Sequence, residues 1–355
     1  MKIVHITECL AGGVLTFIRN LTSALADDDH ILIYSDRDNT PDHVDELFGK
    51  NGQLVYWKNG GREINAVQDT KGLFELMSLL MPYKDADVVQ LHSSKAGFLG
   101  RVACRLLGFK KVFYHPHGLS FAREDVSTKK KRFYVTLEKI GNAFCGDYIA
   151  CSESEKALLE KNGIHNVHVI NNGIAVNPEK PTYRKFSYPL VIGTTGRLTY
   201  QKNPALFDEI AEAFKDDDRV RFIWIGGGEL SDAIHKRKNT EVTGWLTPEE
   251  VQEKLKEVDL YMSTALWEGL PYAVLEAMNS GKPLVLSDCI GNVDLVDQDN
   301  GYTFHTENQA VHCLRQMVDH PEELESKGLA SYKLLEQEFS IDHMKSCYLK
   351  LYSGM

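Results

Sequence analysis

Glu268 and Glu276 stand eight positions apart in the segment WEGLPYAVLEAMNSG, residues 267 to 281. Pro271 suits the first turn of a helix and Gly281 its C-terminal stop, so both ends of a helix are marked. After Gly269, the amides of Leu270, Tyr272 and Ala273 and the positive end of the helix dipole would face phosphate or sugar oxygens. Glu268 precedes this end, where a carboxylate serves either as a capping charge or as an acceptor for ligand hydroxyls. Glu276 lies among Val274, Leu275, Ala277 and Met278. Unless it faces solvent, a carboxylate there needs a hydrogen-bonding partner, and a ribose diol would serve.

Three further groups have suitable types and spacing. In GRLTYQKN, Arg197 and Lys202 are five apart across a strand-to-helix loop. They are either solvated surface or a forked and a point cation converging on a diphosphate. Paired Gly12 and Gly13 before a helix read either as a tight turn or as a place where amides approach an anion. Gly226, Gly227 and Gly228 after RFIWI repeat that choice, and Gly244 stands in the loop Val242-Thr243-Gly244-Trp245. In His115-Pro116-His117-Gly118, His117 is either a packed polar residue or a cleft residue that bonds a substrate and offers its carbonyl to a developing cation. No acidic residue accompanies the two histidines at a ligand spacing, so no metal is expected. The GxGxxG and Walker A patterns are absent.

Positioning these residues requires strands that end where they begin, and the chain supplies them. Apolar, β-branched runs at 2 to 7, 30 to 35, 53 to 57, 87 to 93, 111 to 118, 147 to 152 and 167 to 172 alternate with helical patterns. The clearest helix spans 14 to 26, with Val14, Phe17, Ile18, Leu21, Ala24 and Leu25 on one face. Residues 173 to 189 carry three prolines and no periodicity, and read as a linker. A second series follows in PLVIGTTG, RVRFIWIGG, DLYMSTA and PLVLSD, with helices near 203 to 214, 248 to 257, 271 to 280 and 307 to 318. Residues 321 to 352 read as helix, with Ile341, Met344, Tyr348 and Leu351 on one face. Alternating strands and helices predict α/β architecture with parallel sheets, whose ligands bind beyond the carboxyl ends of the strands.

Composition sets the class. At 355 residues the chain exceeds what one core usually serves, and 43% hydrophobic with 25% charged residues suits a globular enzyme. The net charge of -10 falls wholly in the second half, a poor footprint for nucleic acid. Seven scattered cysteines without a CxxC pair fit a reducing cytosol, and no apolar run is long enough to span a membrane or serve as a leader. A cytoplasmic location is expected. In Ser127-Thr128-Lys129-Lys130-Lys131-Arg132-Phe133-Tyr134, four cations beside two aromatics form either a solvated helix face or a dock for anionic lipid at the inner face of the membrane.

Taken in order, the GG turn, His117-Gly118, GRLTYQKN, the glycine turn at 226 to 228, the E-x7-E pair Glu268 and Glu276, and SGKPLVLSDCIGN resemble the retaining glycosyltransferases of family 4, the glycosyl transferases group 1. The resemblance covers nearly the whole chain. It implies the GT-B fold: two Rossmann-like domains facing across a cleft, an acceptor domain at 1–175, a nucleotide-sugar domain at 186–335, and a helix at 336–355 returning to the first domain. It implies transfer of a hexose-type sugar from a nucleotide diphosphate sugar, UDP most commonly, to a hydroxyl of a glycan or lipid-linked acceptor in bacterial surface polysaccharide synthesis, with configuration retained and no metal or other cofactor. Arg197 and Lys202 would hold the diphosphate and Glu276 the ribose. Glu268 and the 270 to 273 amides would hold the sugar, Gly13 would admit the diphosphate, and His117 would lie near the anomeric centre. Pro271 departs from the family, where glycine is frequent, and removes one amide donor. A nucleotide-sugar epimerase and a non-catalytic nucleotide-sugar binding protein remain alternatives on the same fold.

Overall fold

The computed structural model describes residues 1–354 except 37–39, 42, 45–47, 49–51, 62–63 and 182–186. The chain divides into two compact units: residues 1–122, 126–173 and 341–355 form the first, and residues 123–125 and 174–340 the second.

The first unit is built on a seven-stranded parallel sheet. Its strands are β1 (Lys2–Thr7), β2 (Asp29–Tyr34), β3 (Gly52–Tyr56), β4 (Val88–His92), β5 (Val112–His115), β6 (Asp147–Ala150) and β7 (Val167–Val169). Their spatial order is β3-β2-β1-β4-β5-β6-β7. The helices are α1 (Gly12–Ala24), α2 (Ala66–Leu80), α3 (Ser94–Leu107), α4 (Thr128–Phe144) and α5 (Glu153–Lys161). Every residue of β4 is buried, as expected of a central strand covered on both faces. Val4, Ile6, Val89, Leu91, Tyr114 and Tyr148 belong to the core.

The second unit repeats the plan with six parallel strands: β8 (Leu190–Thr195), β9 (Val220–Ile225), β10 (Thr240–Val242), β11 (Leu260–Ser263), β12 (Leu284–Ser287) and β13 (Gly301–Phe304). Their order is β10-β9-β8-β11-β12-β13. Helices α6 (Pro204–Glu212), α7 (Pro248–Glu257), α8 (Tyr272–Asn279), α9 (Glu307–Asp319) and α10 (Leu324–Glu338) accompany them. Thr247 and Thr306 close capping boxes on α7 and α9. Its core gathers Ile192, Phe207, Phe222, Trp224, Met262 and Val285. In both sheets the strand order reverses at the first strand, between β1 and β4 and again between β8 and β11. The loops leaving these pairs are therefore where a ligand crevice opens.

The final helix, α11 (Ile341–Ser353), belongs to the first unit. The sequence pattern over 321 to 352 runs on without interruption, yet the structure breaks it at Phe339 and Ser340 into α10 and α11. Met344, Tyr348 and Tyr352 form the buried face of α11, and the Tyr352 hydroxyl donates to the Gln90 side chain on β4. Of the expected linker, residues 182–186 lie outside the described residues. Residues 174–177 are bound to the second unit. Ile174 bridges Ser340, and the Asn279 side chain receives the Asn177 amide at 2.9 Å and donates to the Ala175 carbonyl at 3.0 Å. No helix among the described residues is long and apolar enough to cross a membrane.

Candidate functional site

In the second unit the residues singled out in sequence gather on the loops leaving β8, β9, β11 and β12. Beyond β8, Gly196 takes a φ of 142° and a 3-10 turn follows at Tyr200–Lys202. Asn203, in left-handed conformation, caps α6, receiving the Leu206 amide at 3.4 Å. This turn is bound to the loop after β11. The Thr264 hydroxyl donates to the carbonyls of Lys202 and Asn203, at 2.9 and 3.1 Å. The Gln201 carbonyl receives the Leu266 amide at 2.8 Å, and the Gln201 side chain donates to the Trp267 carbonyl at 2.8 Å. The backbone thus brings the two sequence segments together before any side-chain charge acts.

Across this junction Lys202 Nζ lies 2.6 Å from Glu268 Oε1, and Gln201 Nε2 donates to Glu268 Oε2 at 3.4 Å. Glu268 is 8% exposed. Burial works against the Lys202 charge, but the Glu268 carboxylate outweighs it and holds the ammonium above its ordinary pKa. A charged ammonium with one partner keeps further N–H donors for an anion. Arg197, one residue past Gly196, is exposed.

Glu276 lies on α8, half-buried between the buried Leu275 and Ala277. Burial raises its carboxyl pKa, and among the described residues its carboxylate has no hydrogen-bond partner. The need for a partner, evident from the sequence, is therefore not met from within the protein. Pro271 forms the N-cap of α8 instead of its first turn, accepting from the amides of Val274 and Leu275 through its carbonyl at 3.1 and 3.2 Å. No side chain caps this end and its first turn holds no acidic residue. Gly269 is tied to the loop after β12: a Cβ on Gly291, whose φ is 82°, would meet the Gly269 carbonyl oxygen at 2.2 Å.

The remaining glycines close the same region. The Gly227 carbonyl receives the Leu198 amide at 3.0 Å, and a Cβ on Gly227 would stand 2.9 Å from the Trp245 ring. Thr243 Oγ1 receives the Gly226 amide at 3.0 Å and donates to the Gly244 carbonyl at 2.9 Å, with Gly244 at a φ of 74°. Trp245 is 70% exposed, an unusual position for an indole. Lys202, Gly227, Gly244, Glu268 and Gly269 are thus linked through their loops. Leu270, Tyr272, Ala273 and Glu276 follow on α8 and its approach.

In the first unit, Gly12 has a φ of 54°, and both Gly12 and Gly13 are exposed at an α1 N-terminus that no side chain caps. His117 and Gly118 follow β5 with φ of 56° and 104°. Buried Glu155 holds this bend, its carboxylate receiving the Gly118 amide at 3.0 Å and the Cys151 amide at 2.8 Å. His117 stacks on His115 with centroids 3.8 Å apart and contacts His92 through Nε2 at 2.9 Å. Burial pushes the His117 pKa down to about 3, so the ring is uncharged. Sequence reasoning missed Glu155, and also Glu8, which receives the Ala96 amide at 2.9 Å and the Ser93 hydroxyl at 2.6 Å. Glu8 is an isolated acidic residue in sequence, whereas Glu155 completes with Ser152 the S-x-x-E pattern of a helix start, a local signal for it.

On the four-cation helix α4, Lys129, Lys130 and Arg132 are exposed and Lys131 half-buried. Phe133, Ile140 and Phe144 are 46%, 45% and 39% exposed, and their spacing of seven and four places them on one face.

Comparison with known proteins places these observations in a family. Residues 11–177 match the model for Glycosyltransferase Family 4, and residues 189–320 the model for Glycosyl transferases group 1. The UDP-Gal:alpha-D-GlcNAc-diphosphoundecaprenol alpha-1,3-galactosyltransferase of Escherichia coli is 30% identical over 265 residues, 67% of each chain. The O-antigen biosynthesis glycosyltransferase WbnH of Escherichia coli is 24% identical over 98% of each chain. Among solved structures, Anabaena HepE in complex with UDP superposes with a TM-score of 0.78 at 15% identity, covering 100% of both chains. Two Rossmann-like units, family models matched on both, and a relative at this identity make the chain a member of the family 4 glycosyltransferases, of GT-B fold.

Proposed function

We propose that this protein is a retaining hexosyltransferase. It moves a sugar from a UDP-linked donor to a hydroxyl of a lipid-linked glycan in bacterial surface polysaccharide synthesis. The observation that carries the reading is the 2.6 Å pair between Lys202 and Glu268 on loops adjoining the uncapped α8 N-terminus. The pair puts a retained positive charge beside a carboxylate that accepts sugar hydroxyls. The UDP donor and lipid-linked acceptor are supported by the names of the Escherichia coli galactosyltransferase and the HepE complex.

In this scheme Lys202 and Arg197 neutralise the diphosphate as it departs, without a metal, and Glu276 accepts from the ribose diol. Glu268 and the Gly269–Ala273 segment hold the sugar, and Trp245 and Gly244 border the base; in the first unit Gly13 admits the diphosphate and His117 bonds a sugar hydroxyl. The bond between the anomeric carbon and the phosphate oxygen breaks as the acceptor oxygen bonds the same carbon on the same face. The acceptor proton passes to the departing phosphate oxygen, which yields free nucleoside diphosphate and keeps the configuration. Preorganised charge at the leaving group supplies most of the barrier lowering. The exposed cations and aromatic residues of α4 hold the enzyme peripherally at an anionic cytoplasmic membrane surface.

The test offers UDP-, GDP- and dTDP-hexoses with and without a synthetic lipid diphosphate sugar, and reads nucleotide release and glycolipid product. UDP-hexose turnover that requires the acceptor is expected. Isomerisation of donor alone, or binding without turnover for every donor and acceptor, overturns the assignment.

A further inference from the structure

Four histidines of the first unit form one continuous hydrogen-bonded chain. His30 Nε2 lies 3.0 Å from the Leu25 carbonyl oxygen, and His30 Nδ1 lies 3.2 Å from His5 Nε2. His5 Nδ1 is 3.1 Å from His92 Nε2, and His92 Nδ1 is 2.9 Å from His117 Nε2. The sheet register builds this path. Along the order β2-β1-β4-β5, Ile3 pairs with His30, Thr7 pairs with His92, and His92 pairs with His115. Each sideways step therefore advances two residues toward the carboxyl ends, which keeps every ring on one face of the sheet. The path ends at the bend after β5.

The two ends of the chain differ, and the difference fixes its direction. A carbonyl only accepts, so His30 Nε2 carries a proton. In an uncharged ring the other nitrogen is then bare, so His30 Nδ1 accepts from His5 Nε2–H. The same step repeats through His5 and His92 to His117. Each member becomes an Nε2–H tautomer, and His117 is left with a bare Nδ1 that has no partner among the described residues. Burial supports the uncharged state, since it lowers the pKa of His5, His30, His92 and His117 alike. The inner end stops at a carbonyl that cannot pass a proton on, so the chain orients its members and conducts nothing.

We propose that His30, His5 and His92 are positioning residues that lock His117 into the Nε2–H tautomer, so that its Nδ1 is a hydrogen-bond acceptor for one hydroxyl of the donor sugar. The ligand group at this point is thereby specified as a hydrogen-bond donor, as a sugar hydroxyl is; a carboxylate or other pure acceptor is refused. The sugar assignment rests on the proposed function, whereas the tautomer does not.

The first test therefore uses the full chain without substrate. Long-range proton–nitrogen NMR of histidine-labelled protein, with His117→Gln to assign the signal, reads the tautomer. A pyridine-type Nδ1 and a protonated Nε2 on His117 are expected. A protonated Nδ1, or an imidazolium anywhere in the chain, overturns the proposal even if transfer is confirmed. The second test uses His92→Phe, which removes the acceptor for His117 Nε2–H, and His92→Asn, whose amide oxygen replaces it. His92→Phe is expected to lower kcat/KM about three- to tenfold, the worth of one neutral hydrogen bond, with His92→Asn restoring most of it. With the donor lacking the hydroxyl that meets His117, His92→Phe should lose nothing further. Equal loss with every deoxy donor would show the role to be structural and sink the lock. Failure of every donor to react would remove the transferase reading while the NMR result still stood.

Discussion

The Lys202 ammonium donates to the Glu268 carboxylate across 2.6 Å, while the backbone carbonyls of Lys202 and Asn203 accept from Thr264. Side-chain pairing and backbone pairing therefore join the same two loops. Removing the charge need not dismantle the junction. Lys202→Ala should lower kcat by roughly 100- to 1000-fold, the range for deleting one preorganised electrostatic group. It also leaves Glu268 buried without its counter-ion, which should cost about 3–5 kcal/mol of stability. Transfer assays and urea melts on the same variant check both figures. A large fall in stability with near-normal kcat would assign the pair to folding alone.

Glu276 should affect stability and binding in opposite directions. Its folded-state pKa is raised by burial above the ordinary value of 4.5. The protein is therefore relatively stabilised while pH lies below the unfolded value, and loses that contribution as pH rises through the raised folded value. Nucleotide binding runs the other way, because only the ionised carboxylate accepts both diol protons. Glu276→Gln should raise the melting temperature of the unliganded protein at neutral pH and raise the KM for donor about tenfold. Wild-type donor affinity should weaken as pH falls through the raised value, a dependence the variant lacks. Calorimetry with and without UDP across pH 4 to 8 would reveal this, to be read against the approximate span set by the shift.

Two glycines of the donor loops should respond differently to alanine. At Gly226 a Cβ would stand 2.1 Å from the Gly196 carbonyl oxygen, whereas at Gly244 nothing lies within 4 Å and only the φ of 74° opposes substitution. Gly244→Ala should cost about 1 kcal/mol, and Gly226→Ala roughly 3 kcal/mol or more. Comparing denaturation midpoints decides this, and similar costs would contradict the close approach of these loops.

If α4 is the membrane dock, its charge should be separable from catalysis. Changing Lys129, Lys130 and Arg132 together to Glu should weaken binding to anionic vesicles by about 100-fold or more, at ~1 kcal/mol per cation removed. Donor turnover with a water-soluble acceptor should be unaffected. Flotation with phosphatidylglycerol and with phosphatidylcholine vesicles, beside the soluble assay, reads both quantities. Undiminished binding by the triple variant would point away from this helix.

Much of this was legible in the chain because the buried strands are continuous apolar runs, and because Pro271 and Gly281 mark the ends of α8. The edge strands β10 and β13 were not. They are three and four residues long and half-polar, and pairing with a neighbour, not composition, makes them strands. The break between α10 and α11 falls at Phe339 and Ser340, without a glycine or proline to announce it. In the site, the segments carrying Lys202 and Glu268 were marked by their own residue types, but the pairing of the two, 66 positions apart, was not. His5, His30 and His92 were not marked, since each sits in a largely apolar strand with nothing to connect it to the others until parallel register aligns them. For Glu155 the helix-start pattern with Ser152 is local, but its bond to the Gly118 amide, 37 positions away, is fixed only by the fold.

Residues 341–353 belong to the first unit although residues 174–340 precede them in synthesis. The amino-terminal sheet therefore waits on the ribosome with the seat of Met344, Tyr348 and Tyr352 uncovered, and Gln90 lacks its phenol partner until the intervening unit has been translated. A nascent chain halted at Ser340 should accordingly present chaperones with one finished lobe and one that is still open.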